Sequence, residues 1–166
     1  MAKIVEIMEE VRFTTRPDAT VGEVIRELAN GRIGWIPIVN DEMHLLGYIT
    51  DGDIVRHIAH RKPRYFDYGE LIAIEVDEDT LEDKCKGLLE VPIREVAGKK
   101  KIYANVDQEI DDVADIMKKE HIRQIAVLDA GRVVGVVKER DIVRHILTML
   151  LPHEKIDDGN NNEDDE

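Results

Sequence analysis

The sequence has a single cysteine, Cys85, among 166 residues. One thiol cannot close an internal disulfide, so the expected setting is a reducing one, the cytoplasm. Aromatic residues amount to 4%, with one tryptophan and two phenylalanines, so any core has to be aliphatic. No apolar run approaches the roughly 20 residues that cross a bilayer, which excludes a membrane helix. The opening MAKIVEIMEE is too charged for a secretory signal. Bases are scarce: 23 Lys and Arg stand against 36 Asp and Glu, a net charge of −13. Binding a phosphate backbone needs clustered bases, which argues against nucleic acid as a main partner. The last ten residues, DDGNNNEDDE, contain no base and no apolar side chain. Such a stretch cannot offset its ordering entropy, and residues 152–166 are expected to end in a disordered acidic tail. Six of the thirteen excess charges sit there, leaving −7 on the body.

What is present is aliphatic and duplicated. Gly47–Ile58 reads GYITDGDIVRHI and Gly135–Ile146 reads GVVKERDIVRHI; seven of twelve positions are identical at an offset of 88. Chance gives about one match in such a window. With one gap in a turn the match continues upstream at offset 89. Ile36-Pro37-Ile38-Val39 pairs with Ile125-Ala126-Val127-Leu128, and Ile4-Val5-Glu6-Ile7 with Ile93-Arg94-Glu95-Val96. The chain therefore divides into repeat 1 (3–60), a connection (61–91) that is expected to be partly helical, repeat 2 (92–151) and the tail. Each repeat is short for an independent domain, so each needs the other to bury its apolar face.

Both repeats read as β-α-β-β-α. A short extended segment comes first, Arg12 to Thr15 and Lys101 to Asn105. A helix follows. In repeat 1, Thr20 and Glu23 form a capping box ahead of Val21, Val24, Ile25 and Leu28 at helical spacing. In repeat 2, Asp107 is the expected cap ahead of Ile110, Val113, Ala114 and Met117. Two strands joined by turn formers come next: Trp35–Val39 with Leu45–Thr50, and Gln124–Leu128 with Arg132–Lys138. A helix closes each repeat, over Gly52–His60 and Arg140–Leu151. The second carries a wide apolar face that is expected to pack on another copy. In the connection, Thr80 and Asp83 predict a short helix through Leu89.

This repeat, ending each time in Gly-apolar-apolar-x-x-x-Asp-apolar, resembles the CBS domain, the module named for cystathionine β-synthase and found in tandem as a Bateman module. The resemblance rests on Asp18-Ala19-Thr20-Val21, Ile36–Val39 and Gly47–Asp53, and on Val106-Asp107, Ile125–Leu128 and Gly135–Asp141. It implies an α/β fold in which two β-α-β-β-α units pack by their sheets around a pseudo-twofold axis, leaving two clefts. It also implies an adenosine-containing ligand (AMP, ADP, ATP or S-adenosylmethionine) whose ribose hydroxyls bind the helix-initial Asp. A carboxylate is acceptor-only and suits a vicinal diol.

Repeat 1 holds the family's complete ligand motif, Gly-apolar-x-Thr/Ser-x-x-Asp, in Gly47, Tyr48, Thr50 and Asp53, with Gly52 beside the Asp, which makes it the first choice for ribose. Repeat 2 keeps Val136 and Asp141 but has Lys138 in place of the hydroxyl residue. There Lys138 and Arg140 could supply cations for phosphate, or the Lys138 stem could fill the cleft. The resemblance places Ala97, Ile102, Tyr103 and Ile122 with the Asp53 cleft. Met8, Phe13, Ile33 and Gly34 go with the Asp141 cleft, and Arg123 at a phosphate-contacting position.

Blander readings stand beside these. An Asp at a helix start is commonly only an N-cap, but its double occurrence behind a Gly-led strand favours a ligand role. Asp51-Gly52-Asp53 lacks the further ligands of an oxygen cage. His57 and His60 have no matching pair in repeat 2, where Thr148 stands opposite His60. Trp35 reads first as a core aromatic, and Cys85 as structural. No phosphate loop and no nucleophile–base spacing is present, so an enzyme is not expected. The sequence reads as an adenine-nucleotide sensor that needs no further cofactor, is homodimeric, and acts on a separate protein without nucleic acid or membrane. The alternative is a ligand-free dimerisation or scaffold module.

Overall fold

The computed structural model describes residues 1–30, 34–59, 64–67, 69, 72–75 and 79–152. The chain opens on a 3-10 turn, Ile4–Glu6, whose Glu6 carboxylate accepts from the Lys3 N–H at 2.8 Å. Helix α1 (Val21–Ala29) starts where Thr20 and Glu23 predict, with the Thr20 N–H donating to the Glu23 carboxylate at 2.6 Å. Strands β1 (Trp35–Val39) and β2 (Leu45–Thr50) pair antiparallel, Ile36 opposite Ile49. Helix α2 (Asp51–Ile58) follows β2 directly, and Thr50 is its N-cap.

The connection holds a hairpin that the sequence reading missed, β3 (Arg64–Asp67) with β4 (Ile72–Glu75). Helix α3 (Leu81–Cys85) begins on the expected Thr80–Asp83 box but stops early. The backbone leaves the helix at Lys86, with ψ 127°, Gly87 turns the chain with a left-handed φ of 72°, and the chain goes on as a 3-10 turn, Leu88–Glu90. The second repeat then runs α4 (Ile93–Val96), β5 (Tyr103–Asn105), α5 (Ile110–Glu120), β6 (Gln124–Asp129), β7 (Arg132–Lys138) and α6 (Glu139–Leu150). The cap of α5 is Glu109 rather than Asp107, and no side chain closes it. The turn between β6 and β7 has positive φ at Ala130 and Gly131, the mirror-type geometry that suits a two-residue hairpin.

The order is α/β in both repeats, and in both the leading extended segment joins the first hairpin strand in parallel. Thr15 bridges Ile38, and β5 pairs with β6 from Tyr103 opposite Ala126. Repeat 1 retains only that one bridge where Arg12–Thr15 is expected to be extended.

The chain forms two compact units, and neither coincides with a repeat. One comprises Arg12–Ile102 with Gly131–Val133; the other comprises Met1–Val11, Tyr103–Ala130 and the chain from Val134. We call them the Asp53 unit and the Asp141 unit. The leading segment of each repeat sits in the core of the other. In the Asp53 unit, Ile93 is fully buried with Val21, Val24, Leu28, Ile36, Ile38, Ile49, Ile54 and Leu88. Its N–H donates to the Ala19 carbonyl at 2.8 Å, and the Val21 N–H donates to the Val91 carbonyl at 2.8 Å. In the Asp141 unit, Ile4 is fully buried. Its N–H donates to the Gln108 carbonyl at 2.9 Å, and the Ile110 N–H to the Ala2 carbonyl at 3.1 Å.

The residues after each leading turn lie along the Gly-led strand of the same unit. Tyr48 bridges Gly98, and Val136 bridges Glu9, both antiparallel. Glu9 and Gly98 are therefore equivalent positions. The approach is closest at Gly135, where an added Cβ would stand 2.7 Å from Met8 Sδ and 2.9 Å from the Glu9 carbonyl oxygen. At Gly47 the first atom met is the Gly98 oxygen, at an ordinary 3.6 Å. Gly135→Ala is expected to cost about 1–3 kcal/mol and Gly47→Ala no more than about 0.5 kcal/mol. The difference is read from urea midpoints of the two variants.

Candidate functional site

Among the described residues the buried polar or charged side chains are two, Asp53 and Asp141, each 5% exposed. They are the aspartates that the duplication aligns. Each stands at the third position of its helix, and each accepts the N–H of the residue that caps it: Thr50 to Asp53 at 2.9 Å, Lys138 to Asp141 at 2.7 Å. The duplication extends to the loop before the hairpin. The Gly34 carbonyl accepts from the Asp51 N–H at 3.3 Å, and the Arg123 carbonyl from the Glu139 N–H at 3.0 Å.

The two sites differ in what surrounds the carboxylate. In the Asp53 unit the Thr50 hydroxyl donates to Asp53 Oδ2 at 2.8 Å and accepts the Asp53 N–H at 3.0 Å. Arg56, one turn further on, donates to Oδ1 at 2.5 Å. Both carboxylate oxygens are thus engaged within the protein. Tyr48 donates its hydroxyl to the Ile102 carbonyl, and its ring meets Trp35 edge-on, centroids 4.8 Å apart. Trp35 is buried, as a core aromatic should be. Its Nε1 has no hydrogen-bond partner among the described residues, a cost of about 1–3 kcal/mol.

In the Asp141 unit no hydrogen bond from the described residues reaches Asp141 Oδ1; Arg140 Nε stands 3.9 Å away. Arg144, the counterpart of Arg56, does not close on the carboxylate. It borders instead a cavity of about 270 Å3 lined by Ile7, Glu9, Asp141, Arg144, His145 and Thr148. That is just under the ~300–1,000 Å3 usual for small-molecule pockets. Lys138 Nζ donates to Glu9 at 2.6 Å, and Arg140 Nη2 lies 3.7 Å from the same carboxylate. Neither the stem-filling reading nor a free phosphate cation describes Lys138: its charge is met by Glu9. Arg123 is exposed and pairs with Glu139 at 3.3 Å.

Ala97 and Ile102 belong to the Asp53 unit and Met8 and Val136 to the Asp141 unit, the units of the aspartates assigned to them. Tyr103 and Ile122 fall in the Asp141 unit, Phe13 and Gly34 in the Asp53 unit. Ile33, His60 and the tail from residue 153 lie outside the described residues. The sequence reading missed Arg56, Glu9, Gly98, Arg144 and His145. The offset-89 match aligns Glu9 with Gly98, and that unlike pair is the signal that was available.

Burial raises the Asp141 carboxyl above its ordinary value of 3.8, and the charge of Glu9 pushes the same way; the Lys138 N–H and the charges of Lys138 and Arg140 oppose this. A raised acid favours the folded state only while protonated, so the penalty is fully present above the raised value and vanishes as pH falls below 3.8. Asp141→Asn is therefore expected to melt higher than the natural protein at pH 7, with the gap closing toward pH 3.5. Thermal melts across that range check it.

A family model for the CBS domain matches residues 4–60 and 93–148. The chain belongs to the CBS domain family, as a tandem pair. It is 31% identical over 136 residues to the uncharacterized protein MJ1426 of Methanocaldococcus jannaschii, covering 75% of this chain and 80% of that protein. It is 28% identical over 139 residues to MJ1225 of the same organism, covering 84% of this chain and spanning only 41% of that protein's length. Two solved structures share the fold. One is CBSX2 in complex with AMP, at TM-score 0.66 and 14% identity, covering 90% of this chain and 99% of that one. The other is the CBS domain pair of MJ0100 in complex with 5′-methylthioadenosine and S-adenosyl-L-methionine, at TM-score 0.61 and 24% identity, covering 88% and 96%. No helix among the described residues is long and apolar enough to cross a membrane.

Proposed function

We propose that the chain is a regulatory module that binds an adenosine-containing ligand, AMP, ADP, ATP or S-adenosylmethionine, and reports its presence to a separate protein. The observation that carries this reading is the pair of buried aspartates at equivalent helix starts. Burying a carboxylate is unfavourable unless it has a task, and two burials at matched positions give the same task twice. A ribose diol supplies donors for Asp141 Oδ1, which no hydrogen bond from the described residues reaches. The adenosine ligands of CBSX2 and the MJ0100 pair support the ligand class. We rank Asp141 as the first site to fill. Asp53 holds the complete motif but is engaged by Thr50 and Arg56, whereas Asp141 lines the cavity, which supports this order. Ligand shifts the protein only by its differential affinity for two arrangements, which is the energy available to a sensor.

Calorimetric titration with AMP, ADP, ATP and S-adenosylmethionine tests the reading. Heat and a thermal shift with at least one of them are expected; none of either at millimolar concentration overturns it. The module is read as non-catalytic, cytoplasmic and without nucleic-acid or membrane partners.

A second reading, a ligand-free dimerisation scaffold, draws on α6, where Val143, Met149 and Leu150 are 62%, 61% and 70% exposed. Apolar residues at that spacing on one helix want a partner. A homodimer is expected under either reading, and light scattering of the full chain reads it. The scaffold alone is favoured if the dimer forms and no adenosine ligand binds.

A further inference from the structure

Several positions distinguish the repeats at the aspartates, Gly52 against Arg140 among them, and two of them meet in space. Where the Asp53 unit has Gly98 and Thr50, the Asp141 unit has Glu9 and Lys138, and the latter two are ion-paired at 2.6 Å. Glu9 is about one-third exposed, and it shares the pocket wall with Asp141. It holds two cations, Lys138 and Arg140, that the sequence offers for phosphate. Among the described residues, Glu9, Asp141, Arg144 and the titratable His145 line the pocket, and Lys138 and Arg140 stand on Glu9 at 2.6 and 3.7 Å. Removing the Glu9 carboxylate takes one negative charge from this wall and releases Lys138 and Arg140 from it. A ribose seated on Asp141 keeps its 5′ substituent within about 8 Å of these groups, inside the screening length at physiological salt.

We propose that Glu9 is a specificity residue of the Asp141 pocket, selecting adenosine ligands whose 5′ substituent is uncharged or cationic over those that carry a phosphate. Glu9 acts in two ways. Its carboxylate repels an incoming phosphate, and it engages the Lys138 ammonium that would otherwise bind one. A neutral 5′ substituent meets neither effect, and a cationic one is attracted. Gly98 and Thr50 give the Asp53 unit no such filter, so the two sites of one chain differ in selectivity. This rests on the adenosine reading above and narrows it.

The test uses the full chain with Asp53→Ala, so that calorimetry reads the Asp141 pocket; Asp53→Asn, which keeps the polar cap, replaces it if that protein does not fold. The probes are adenosine and AMP. Adenosine is expected to bind at least as tightly as AMP. Adding Glu9→Gly, the residue used in the other repeat, or Glu9→Gln, of equal size, is expected to raise the AMP-to-adenosine affinity ratio about tenfold. A ratio unchanged in both variants overturns the proposal. A rise in Glu9→Gly alone also overturns it, because space rather than charge is then responsible. AMP preferred more than tenfold before Glu9 is changed overturns it too. If the Asp53 variants bind neither probe while the natural chain binds one, the selectivity proposal fails and the adenosine reading stands. If the natural chain binds no adenosine ligand at all, the adenosine reading itself fails.

Discussion

Replacing Ile93 with alanine is expected to remove about 3–5 kcal/mol from the stability of the Asp53 unit. That is a large share of the 5–15 kcal/mol available to a domain of ordinary stability. Ile93 has no exposed surface and lies among Val21, Ile36, Ile49 and Leu88, all of repeat 1 or the connection. Its own repeat begins only at residue 92, so the damage appears in the neighbouring copy. Ile4→Ala is expected to do the same to the Asp141 unit, where Ile4 is equally buried and its N–H reaches Gln108. Val5, next to it and 43% exposed, serves as the control, with Val5→Ala within about 0.5 kcal/mol of the parent. Urea unfolding measures all three. A loss below 1 kcal/mol at Ile93 would show that the leading segment is not part of the core. A fragment of residues 1–90 lacks Ile93 altogether and is expected to show no cooperative transition.

The second large effect concerns ligand. Asp141→Ala is expected to weaken adenosine binding about 100-fold. Two diol hydroxyls donating to a carboxylate make hydrogen bonds to a charged group, each worth about 1.5–3 kcal/mol, and losing both at the lower value, about 3 kcal/mol, is about 100-fold. Asp53→Ala is expected to cost tenfold or less, because a ribose there must first displace Arg56 from Oδ1. Motif completeness alone favours the opposite ranking. Titrating both variants decides between them: a larger loss at Asp53 would mean that Arg56 yields to the ligand, and that the complete motif outweighs the open pocket.

Much of the fold is legible in the residues, for local reasons. Thr20 with Glu23 and Thr80 with Asp83 announce helix starts because capping is a short-range hydrogen-bond pattern. The hairpins are legible because apolar strands flank turn formers. The duplication gives the rest of the α/β order. What escaped has a physical reason too. The β3–β4 hairpin has no counterpart in the other copy, and Arg-Tyr-Phe-Asp opposite Ile-Ala-Ile-Glu has no strong turn dipeptide to mark it. The turns at Ile4 and Ile93 are three and four residues long, below the length at which periodicity is readable. At the site, Asp53 and Asp141 stand out from sequence alone because their motif repeats. Arg56 and Glu9 act through geometry: Arg56 by one helical turn, Glu9 by a strand pairing across more than a hundred residues. No local pattern reports either.

The exchange of leading segments has a consequence for synthesis. The Asp53 unit is almost continuous, from Arg12 to Ile102, and can assemble its core once that stretch has left the ribosome. Ile4 and Glu9 are made about a hundred residues or more ahead of their partners, Gln108 and Val136. This leading segment must therefore wait for repeat 2. During that interval the N-terminal segment can seat itself in another nascent copy, so crowded synthesis of this protein carries a built-in risk of swapped assemblies.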